Sequence, residues 1–205
     1  MRGKFIVLEG MEGSGKTTNR EFVADLVKAH GAELVVTREP GGTDLAEQLR
    51  SLLLHYDAEP VEPLTELLLM FAARKQHLEQ RILPALDRGC WVLCDRFVDA
   101  TYAYQGGGRG FDVDTIKTLE GVCLQRFVPD WVIVLDVPCD VSAERVKARG
   151  QEDRFEREQR AFFERVRSTY LERAKSADRY NVIDATQALS QVQADIQRHF
   201  ERRFG

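Results

Sequence analysis

Short apolar segments recur along the chain between longer segments of helical periodicity. Five of them have the length and composition of β-strands, namely residues 5–8, 34–37, 91–94, 131–135 and 181–183. The third and fourth are almost continuously apolar, which is typical of strands covered on both faces. The pattern therefore predicts a buried sheet.

The segments between these strands have apolar residues at the spacing of amphipathic helices. The predicted helices are residues 17–30, 43–55, 63–88, 97–104, 113–127, 141–149, 155–177 and 189–202. Alternating strands and helices predict a three-layer α/β sandwich, in which helices cover both faces of a five-stranded parallel sheet. No internal repeat or linker interrupts this pattern, so residues 1–205 are predicted to form a single domain.

Composition and charge limit the classes to which the protein can belong. Of the 205 residues, 43% are hydrophobic and 30% are charged, as expected of a globular domain. The net charge of −4 argues against a broad nucleic-acid-binding surface, which would be basic. No apolar segment approaches the ~20 residues of a membrane span. We therefore expect neither a nucleic-acid nor a membrane partner.

The cysteines and the N-terminus indicate a cytoplasmic protein. Cys90, Cys94, Cys123 and Cys139 form no C-x-x-C pair and have no accompanying histidine cluster, so a zinc site is not expected. Cys90 and Cys94 flank an apolar run and are typical of reduced core residues. The apolar run at 5–8 is too short for a signal peptide.

The first predicted strand leads into a phosphate-binding motif. Residues 10–17 match G-x-x-x-x-G-K-[ST] and end where the first helix is predicted to begin. Glycines let backbone N–H groups wrap phosphates, and the helix N-terminus adds a positive dipole end. Lys16 would reach the β- and γ-phosphates, and the Thr17 hydroxyl would bind Mg²⁺. The motif predicts a P-loop NTPase fold but does not distinguish kinase, ATPase and GTPase.

The third predicted strand ends in Asp95 and Arg96. Ligands bind beyond the carboxyl ends of the strands in open parallel sheets. We interpret Asp95 as a metal-organising carboxylate and Arg96 as a bidentate ligand of a phosphoryl group. The alternative is a capping Asp beside a surface Arg.

Two further segments carry arginines that would meet phosphates. Arg38 lies in the loop 37–43 and would bind the phosphate of an acceptor, although this loop alone is equally consistent with a generic turn. Arg149 and Arg154 lie in a short polar segment at about 149–155, between two predicted helices. We predict that this segment is a mobile lid whose arginines stabilise the transferring phosphoryl group. The alternative is a solvated turn.

Together, these motifs resemble the thymidylate kinase family over nearly the whole chain. The shared features are Glu9-Gly10, Thr-Arg-Glu-Pro-Gly at 37–41, Phe71 with Arg74, Asp95-Arg96, and Thr-Tyr-Ala-Tyr-Gln-Gly-Gly-Gly-Arg at 101–109. Each feature is weak alone, but their order and spacing are specific. The chain resembles the bacterial type, in which the lid supplies the catalytic arginine, because the phosphate-binding motif itself contains no Arg.

The resemblance implies an enzyme that transfers the γ-phosphate of ATP to dTMP with Mg²⁺ and forms dTDP for dTTP biosynthesis, as a homodimer. The implied catalytic residues are Lys16, Asp95, Arg96, Arg149 and Arg154, and the implied metal ligands are Thr17 and Asp95. The implied ATP contacts are Gly10, Met11, Glu12, Gly13, Ser14, Gly15, Lys16, Thr17, Thr18 and Arg145. The implied dTMP contacts are Glu12, Arg38, Phe71, Arg74, Arg96, Thr101, Tyr102 and Gln105.

Within the dTMP site, the resemblance gives the residues specific roles. Phe71 would stack on thymine, and Arg74 would face its O4. Thr101 and Gln105 would lie near N3, and Tyr102 would crowd the 2′ position and so favour deoxyribose. Apart from the resemblance, Phe71 is more typical of a core residue and Arg74 of a surface charge.

Two other functions stay open. A different acceptor would make the chain another nucleoside or nucleoside monophosphate kinase, although Arg38 and Arg96 favour an acceptor that already bears a phosphate. A nucleotide-dependent switch is disfavoured because the chain has no Asn-Lys-x-Asp motif for guanine. For either kinase, we expect direct in-line transfer without a covalent enzyme intermediate.

Overall fold

The computed structural model describes residues 2–56, 58–149, 155 and 158–205, without the side chain of Arg149. All five predicted strands are present, as β1 Phe5–Glu9, β2 Leu34–Arg38, β3 Trp91–Asp95, β4 Trp131–Asp136 and β5 Tyr180–Asp184. They form a sheet in the order β2-β3-β1-β4-β5, and every pairing is parallel. The predicted α/β fold with a five-stranded parallel sheet is therefore confirmed.

Helices flank this sheet. They are α1 Lys16–Ala29, α2 Asp44–His55, α3 Pro63–His77, α4 Leu83–Asp87, α5 Val98–Thr101, α6 Val113–Leu124, α7 Cys139–Arg149, α8 Arg160–Ala174 and α9 Leu189–Phe204. Two π-helices, Leu78–Ile82 and Tyr102–Gly108, follow α3 and α5.

Three predicted helices differ most from those observed. The prediction for 63–88 is divided by the π-helix Leu78–Ile82, which lies just before Pro84, a residue without the N–H that would continue the i→i−4 hydrogen bonds. The prediction for 97–104 is replaced by the short α5 and a π-helix that extends into the glycine-rich segment. The prediction for 155–177 is too long, because α8 begins only at Arg160.

Side chains cover the central strands on both faces. Phe5, Leu8, Leu93 and Trp131 are fully buried. Burying one such side chain contributes about 1.5–3 kcal/mol, which explains why the apolar runs lie at the centre of the fold. Within the described part of the chain, no helix is both long enough and apolar enough to cross a membrane.

The parallel register brings three functional segments to one edge of the sheet. Asp95 of β3 is paired with Arg38 of β2 on one side and with Leu8 of β1 on the other. Glu9, the last residue of β1, therefore lies beside Asp95 and directly before the phosphate-binding motif. The expected clustering at the carboxyl ends of the strands is thus present.

Candidate active site

The phosphate-binding loop, residues 10–17, has a backbone that requires glycine. Gly10, Gly13 and Gly15 have φ angles of 140°, 71° and 87°. A Cβ atom would come within 2.5 Å of the Leu135 carbonyl oxygen at Gly10, and within 2.7 Å of the Ser142 carbonyl oxygen at Gly13. The loop is therefore held close to the end of β4 and the start of α7.

The loop leads into a helix N-terminus that suits an anion. Gly15 caps α1 without a side-chain hydrogen bond, and the first turn contains no acidic residue. The Ser14 hydroxyl is buried and has no hydrogen-bond partner among the described residues. Exposed Thr17 and Thr18 lie in this first turn. These features fit the phosphates of a nucleotide, because N–H and hydroxyl donors and the helix dipole all favour negative charge.

The Lys16 side chain lies against the phosphate-binding loop of which it is part. Its Nζ donates hydrogen bonds to the carbonyl oxygens of Gly10 (3.0 Å) and Met11 (2.9 Å). Burial, followed by the charge of Arg96, lowers the pKa of Lys16 from 10.5 to about 8. A polyphosphate beside this ammonium would favour its charged form.

Arg96 is the centre of the polar network at the sheet edge. It has a left-handed φ of 69°, a conformation that costs a non-glycine residue about 1–3 kcal/mol. Its guanidinium donates to Glu12 Oε1 (2.6 Å), Tyr104 Oη (3.1 Å) and Tyr170 Oη (3.0 Å). Burial disfavours its charge, but Tyr104, Glu12 and other neighbours outweigh burial and raise the pKa of Arg96. The strained backbone thus aims a permanent cation at the site.

The carboxyl group of Glu12 is shared between Arg96 and Tyr104, whose hydroxyl donates to Glu12 Oε2 at 2.6 Å. Burial raises the pKa of Glu12, but Arg96 and Lys16 more than compensate and leave it below its usual value. Glu12 is therefore a stable anion next to two cations.

Glu9 lies beneath this network and behaves differently. It is fully buried, accepts a hydrogen bond from the Phe97 N–H (2.7 Å) and another from the Tyr170 hydroxyl (2.9 Å). Burial and the nearby Asp99 raise the pKa of Glu9 to about 8. A group with this pKa holds a proton through most of the neutral range.

A cavity opens beside Glu12 and Arg96. Its polar lining consists of Glu12, Glu39, Arg50, Arg74, Arg96 and Tyr104, and continues with Thr101 and Gln105. Its apolar lining consists of Pro40, Leu54, Met70, Phe97, Ala100 and Phe155. Apolar walls with a few convergent polar groups are typical of a small-molecule site.

Arg74 is fixed on one side of this cavity. The guanidinium is buried and lies 5.1 Å from the ring centroid of Phe71 and 5.6 Å from that of Phe97. It donates to Glu39 Oε2 (2.7 Å), Thr101 Oγ1 (2.9 Å) and the Phe97 carbonyl oxygen (3.0 Å). Its orientation is therefore determined by the protein.

Gln105 is fixed at the same end of the cavity. Its amide Nε2 donates to Glu66 Oε1 at 2.8 Å, and Glu66 is fully buried. Arg109 donates to the same oxygen at 3.1 Å. The Gln105 amide is thus held in one orientation, with its nitrogen towards Glu66 and its oxygen, an acceptor, on the other side.

The cavity gathers five of the predicted dTMP-binding residues: Glu12, Arg74, Arg96, Thr101 and Gln105. The other three are not part of this lining. Arg38 is exposed and bound to Glu47 Oε2 at 2.8 Å. Phe71 is buried beneath Arg74, and its neighbour Met70 lines the cavity.

Tyr102 also lies outside this cavity lining, and its contact with dTMP stays a prediction. Its hydroxyl donates to Glu120 at 2.5 Å, and the guanidinium of Arg173 lies 3.6 Å from its ring centroid. Tyr104 instead contacts Glu12 and Arg96 and lines the cavity. The two tyrosines belong to a π-helix, whose wider turn alters the direction of successive side chains.

Two predicted catalytic groups lie outside the described residues: the Arg149 side chain, and Arg154 with its segment 150–154. Among the described residues, no group of three or more His, Cys, Asp or Glu side chains could hold a metal by itself. Thr17 and Asp95, completed by phosphate oxygens and water, still suit Mg²⁺, which prefers few protein ligands.

Arg145 connects the phosphate-binding loop to the last strand. It donates to the carbonyl oxygens of Gly13 and Ala185, each at 3.1 Å. Ala185 directly follows β5. Its position is thus compatible with the predicted ATP contact.

Sequence reasoning missed several cavity residues, notably Glu39, Arg50, Met70, Tyr104 and Phe155. Glu39 and Tyr104 belong to segments that the sequence singled out, so their type and place were available as a signal. Arg50 and Met70 lie on amphipathic helices, where nothing distinguishes them from surface or core residues.

Comparisons with known proteins show one family over most of the chain. The family model described as thymidylate kinase matches residues 8–196. The chain is 56% identical over 197 residues to a thymidylate kinase of Ectopseudomonas mendocina, which covers 96% of this chain and 94% of that protein. It is 57% identical over 206 residues to a thymidylate kinase of Chromohalobacter salexigens, which covers 98% of this chain and 96% of that protein.

A solved structure is similar over the same extent. The crystal structure of thymidylate kinase from Ehrlichia chaffeensis has a TM-score of 0.78 and 33% sequence identity, and the match covers 98% of this chain and 99% of that chain. The similarity therefore extends over nearly the full length of each protein.

Proposed function

Because this chain belongs to the thymidylate kinase family, we propose that it transfers the γ-phosphate of ATP to dTMP and releases ADP and dTDP. This is a step of deoxynucleotide biosynthesis. The observation that carries the proposal is a cavity in which Arg74, Thr101 and Gln105 lie on one side while Glu12 and Arg96 border the phosphate-binding loop.

ATP would bind with its phosphates wrapped by residues 10–17. The positive-φ glycines, the uncapped N-terminus of α1 and Lys16 all provide donors for phosphate oxygens. Arg145 would lie beside the adenine, since it bridges the loop and the segment after β5.

The acceptor phosphate would lie between Arg96 and the loop that carries Arg38. Arg96 already points into the cavity, whereas Arg38 would exchange Glu47 for the phosphate. A bidentate guanidinium is well suited to a phosphate monoester.

The thymine base would lie at the far end of the cavity. Arg74 would donate to O4, with Thr101 and Gln105 near N3. Phe71 would stack on thymine, with Met70 bordering the cavity beside it. Tyr102 would crowd the 2′ position, and Tyr104 would line the cavity next to Glu12. Glu12 would meet the sugar 3′-hydroxyl.

Transfer needs positioning and charge neutralisation more than a base, because the acceptor phosphate is already anionic. Lys16 and Arg96 would stabilise charge on the transferring group, and Arg149 and Arg154 would add to it from the lid. Thr17 and Asp95 would hold Mg²⁺, which neutralises phosphate charge when bound.

A homodimer also belongs to this proposal. Exposed leucines and valines occur on three helices, as Leu45 and Leu52 on α2, Leu64 and Leu68 on α3, and Val113 and Val122 on α6. Exposed apolar side chains on neighbouring helices favour a protein partner. The cytoplasmic location stays a prediction from the sequence.

A panel of acceptors tests the function. The protein is mixed with Mg·ATP and dTMP, dUMP, UMP, dCMP, dGMP, AMP or thymidine, and ADP release is followed. We expect strong turnover with dTMP, less with dUMP, and almost none with UMP or thymidine. Turnover of thymidine without turnover of dTMP would identify a nucleoside kinase, and ADP release without any acceptor dependence would contradict a kinase.

A further inference from the structure

A buried polar chain leads from β2 to the guanidinium that faces the base site. Thr37 Oγ1 and His77 Nε2 are 2.7 Å apart, and His77 Nδ1 lies 3.0 Å from Glu39 Oε1. The other oxygen of Glu39 accepts from Arg74 Nε at 2.7 Å. His77 is fully buried, and the side chains of Glu39 and Arg74 are each only 3% exposed.

The chemistry of these groups fixes the direction of the His77–Glu39 hydrogen bond. A carboxylate only accepts, so Nδ1 of His77 carries the proton that is donated to Glu39. The Thr37 hydroxyl, which can donate or accept, pairs with Nε2 on the other side of the ring. The single negative charge of Glu39 is balanced by the single positive charge of Arg74, as a buried pair requires.

The loop that contains Gly42 also packs against these hydrogen-bonded side chains. A Cβ atom on Gly42, whose φ is 90°, would come within 2.4 Å of the His77 ring and 2.7 Å of Thr37 Oγ1. The loop that carries Arg38 and Glu39 is therefore packed directly on His77. Of these two consecutive residues, Arg38 is exposed near the proposed phosphate position and Glu39 is buried against Arg74.

We propose that Glu39, oriented by His77 and Thr37, is a positioning residue that sets base specificity by holding the Arg74 guanidinium in one plane. Three of the five N–H groups of Arg74 are used by Glu39, Thr101 and the Phe97 carbonyl. One N–H on each terminal nitrogen is left for a ligand. A fixed array that only donates selects a pyrimidine with a carbonyl at position 4.

This inference rests on the proposed function and concerns the discrimination between dTMP and dCMP. Thymine presents an acceptor, O4, where cytosine presents an amino donor. Against a guanidinium that cannot turn, the cytosine amino group leaves buried donors facing each other, which is costly. A guanidinium released from Glu39 can move aside and reduces this penalty.

The test compares Glu39→Gln with wild type. We expect KM for dTMP to rise about tenfold, the dTMP:dCMP ratio of kcat/KM to fall about tenfold, and KM for ATP to stay unchanged. A general structural defect would instead raise KM for dTMP and KM for ATP together. Thr37→Val keeps the side-chain shape but removes the hydroxyl. It should change KM for dTMP and the dTMP:dCMP ratio in the same directions by about threefold, and it replaces the Gln variant in the test if that variant does not fold.

A double-mutant cycle separates positioning from any independent effect. In an Arg74→Met background, Glu39→Gln should change KM for dTMP less than about twofold, because Glu39 acts only through Arg74. The same tenfold change in both backgrounds, or unchanged selectivity in the folded single variants, would overturn the inference. A wild-type protein that does not phosphorylate dTMP would overturn the proposed function as well, so the two failures are distinguishable.

Discussion

The charges of individual side chains at the sheet edge follow from their surroundings. Arg96 stays cationic because Tyr104 and Glu12 stabilise its charge, whereas Lys16 has a pKa lowered to about 8 by burial and by Arg96. Anionic phosphates would therefore find one permanent cation and one whose charge they themselves stabilise.

Lys16→Met tests the cation of the phosphate-binding loop. We expect kcat to fall by about 100-fold or more, because the charge that acts on the transferring phosphoryl group is lost, while the far-ultraviolet circular dichroism stays that of a folded protein. Lys28→Met, on the exposed end of α1, is the control and should behave as wild type. Near-normal turnover of Lys16→Met would contradict the role given to the loop.

Glu9 gives a pH dependence of stability. Its pKa is about 8 in the folded protein and 4.5 in the unfolded chain, so the folded state binds the proton more tightly. The stabilisation is fully present below pH 4.5 and is lost as pH rises towards and through 8. Between pH 5 and 8, the free energy of unfolding of wild type should fall by roughly 2–4 kcal/mol more than that of Glu9→Gln, since one pKa unit corresponds to ~1.4 kcal/mol.

The measurement is urea unfolding of wild type and Glu9→Gln at several pH values. Glu21→Gln, at an exposed position, should retain the wild-type slope. Parallel pH profiles for wild type and Glu9→Gln would show that the carboxyl group is ionised throughout.

Residue types in the site were predictable from the sequence, but their contacts with one another were not. Arg74, Thr101 and Gln105 belong to the segments that carry the family resemblance, and they lie together in one cavity. The sequence did not reveal that the Phe71 ring would lie beneath the Arg74 guanidinium in the core. It also did not reveal that Tyr102 would begin a π-helix and donate its hydroxyl to Glu120. The roles of Phe71 and Tyr102 in the dTMP site stay predictions.

The elements around the phosphate-binding loop explain its fixed shape. The Ser142 hydroxyl donates to the Glu12 carbonyl oxygen at 2.7 Å, so the first turn of α7 is bonded to the loop. The close approach at Gly13 leaves no room for a side chain. The sequence predicted the loop and both flanking elements, but not that α7 would form one of its walls.

Gly13→Ala tests this close approach. The Cβ atom would lie 2.7 Å from the Ser142 carbonyl oxygen, so α7 must shift, and we expect kcat/KM for ATP to fall at least ~100-fold. Gly31→Ala is the matched control, because Gly31 has a similar φ of 86° but nothing within 4 Å of an added Cβ. It should lose only about 1 kcal/mol of stability and keep its activity. Equal effects of the two substitutions on activity would contradict the claim that α7 forms a wall of the phosphate-binding loop.

Element boundaries were the less predictable part of the fold. The helix predicted for 63–88 contains the π-helix Leu78–Ile82, in which hydrogen bonds run from i to i+5, and the spacing of apolar residues alone gives no signal of this change. The start of α8 at Arg160 follows no sequence signal, since its N-cap Gln159 makes no side-chain hydrogen bond.

At the scale of the whole molecule, alternation of strands and helices was sufficient to predict the class and the parallel sheet. The strand order β2-β3-β1-β4-β5 was not contained in that pattern, because any order with crossover helices satisfies it. What the topology adds is the meeting of β1, β2 and β3 at one edge, where Glu9, Arg38 and Asp95 lie.

If the protein is a homodimer, charged substitutions in its interface should halve the mass measured by sedimentation. Wild type should sediment at twice the monomer mass at micromolar concentration, and Leu68→Glu combined with Val122→Glu should sediment as a monomer, because buried unpaired carboxylates are costly. Leu189→Glu, at an equally exposed position on α9, is the control and should remain dimeric. A wild-type monomer, or a double variant that stays dimeric, would contradict an interface on α3 and α6.

The most direct test of the account follows the γ-phosphate itself. The protein is incubated with Mg²⁺, γ-labelled ATP and dTMP, and the label is located by separating the nucleotides. The account predicts that the label appears in the β-phosphate of dTDP, with one dTDP formed for each ADP. Label released as inorganic phosphate, or transferred to thymidine in preference to dTMP, would contradict it.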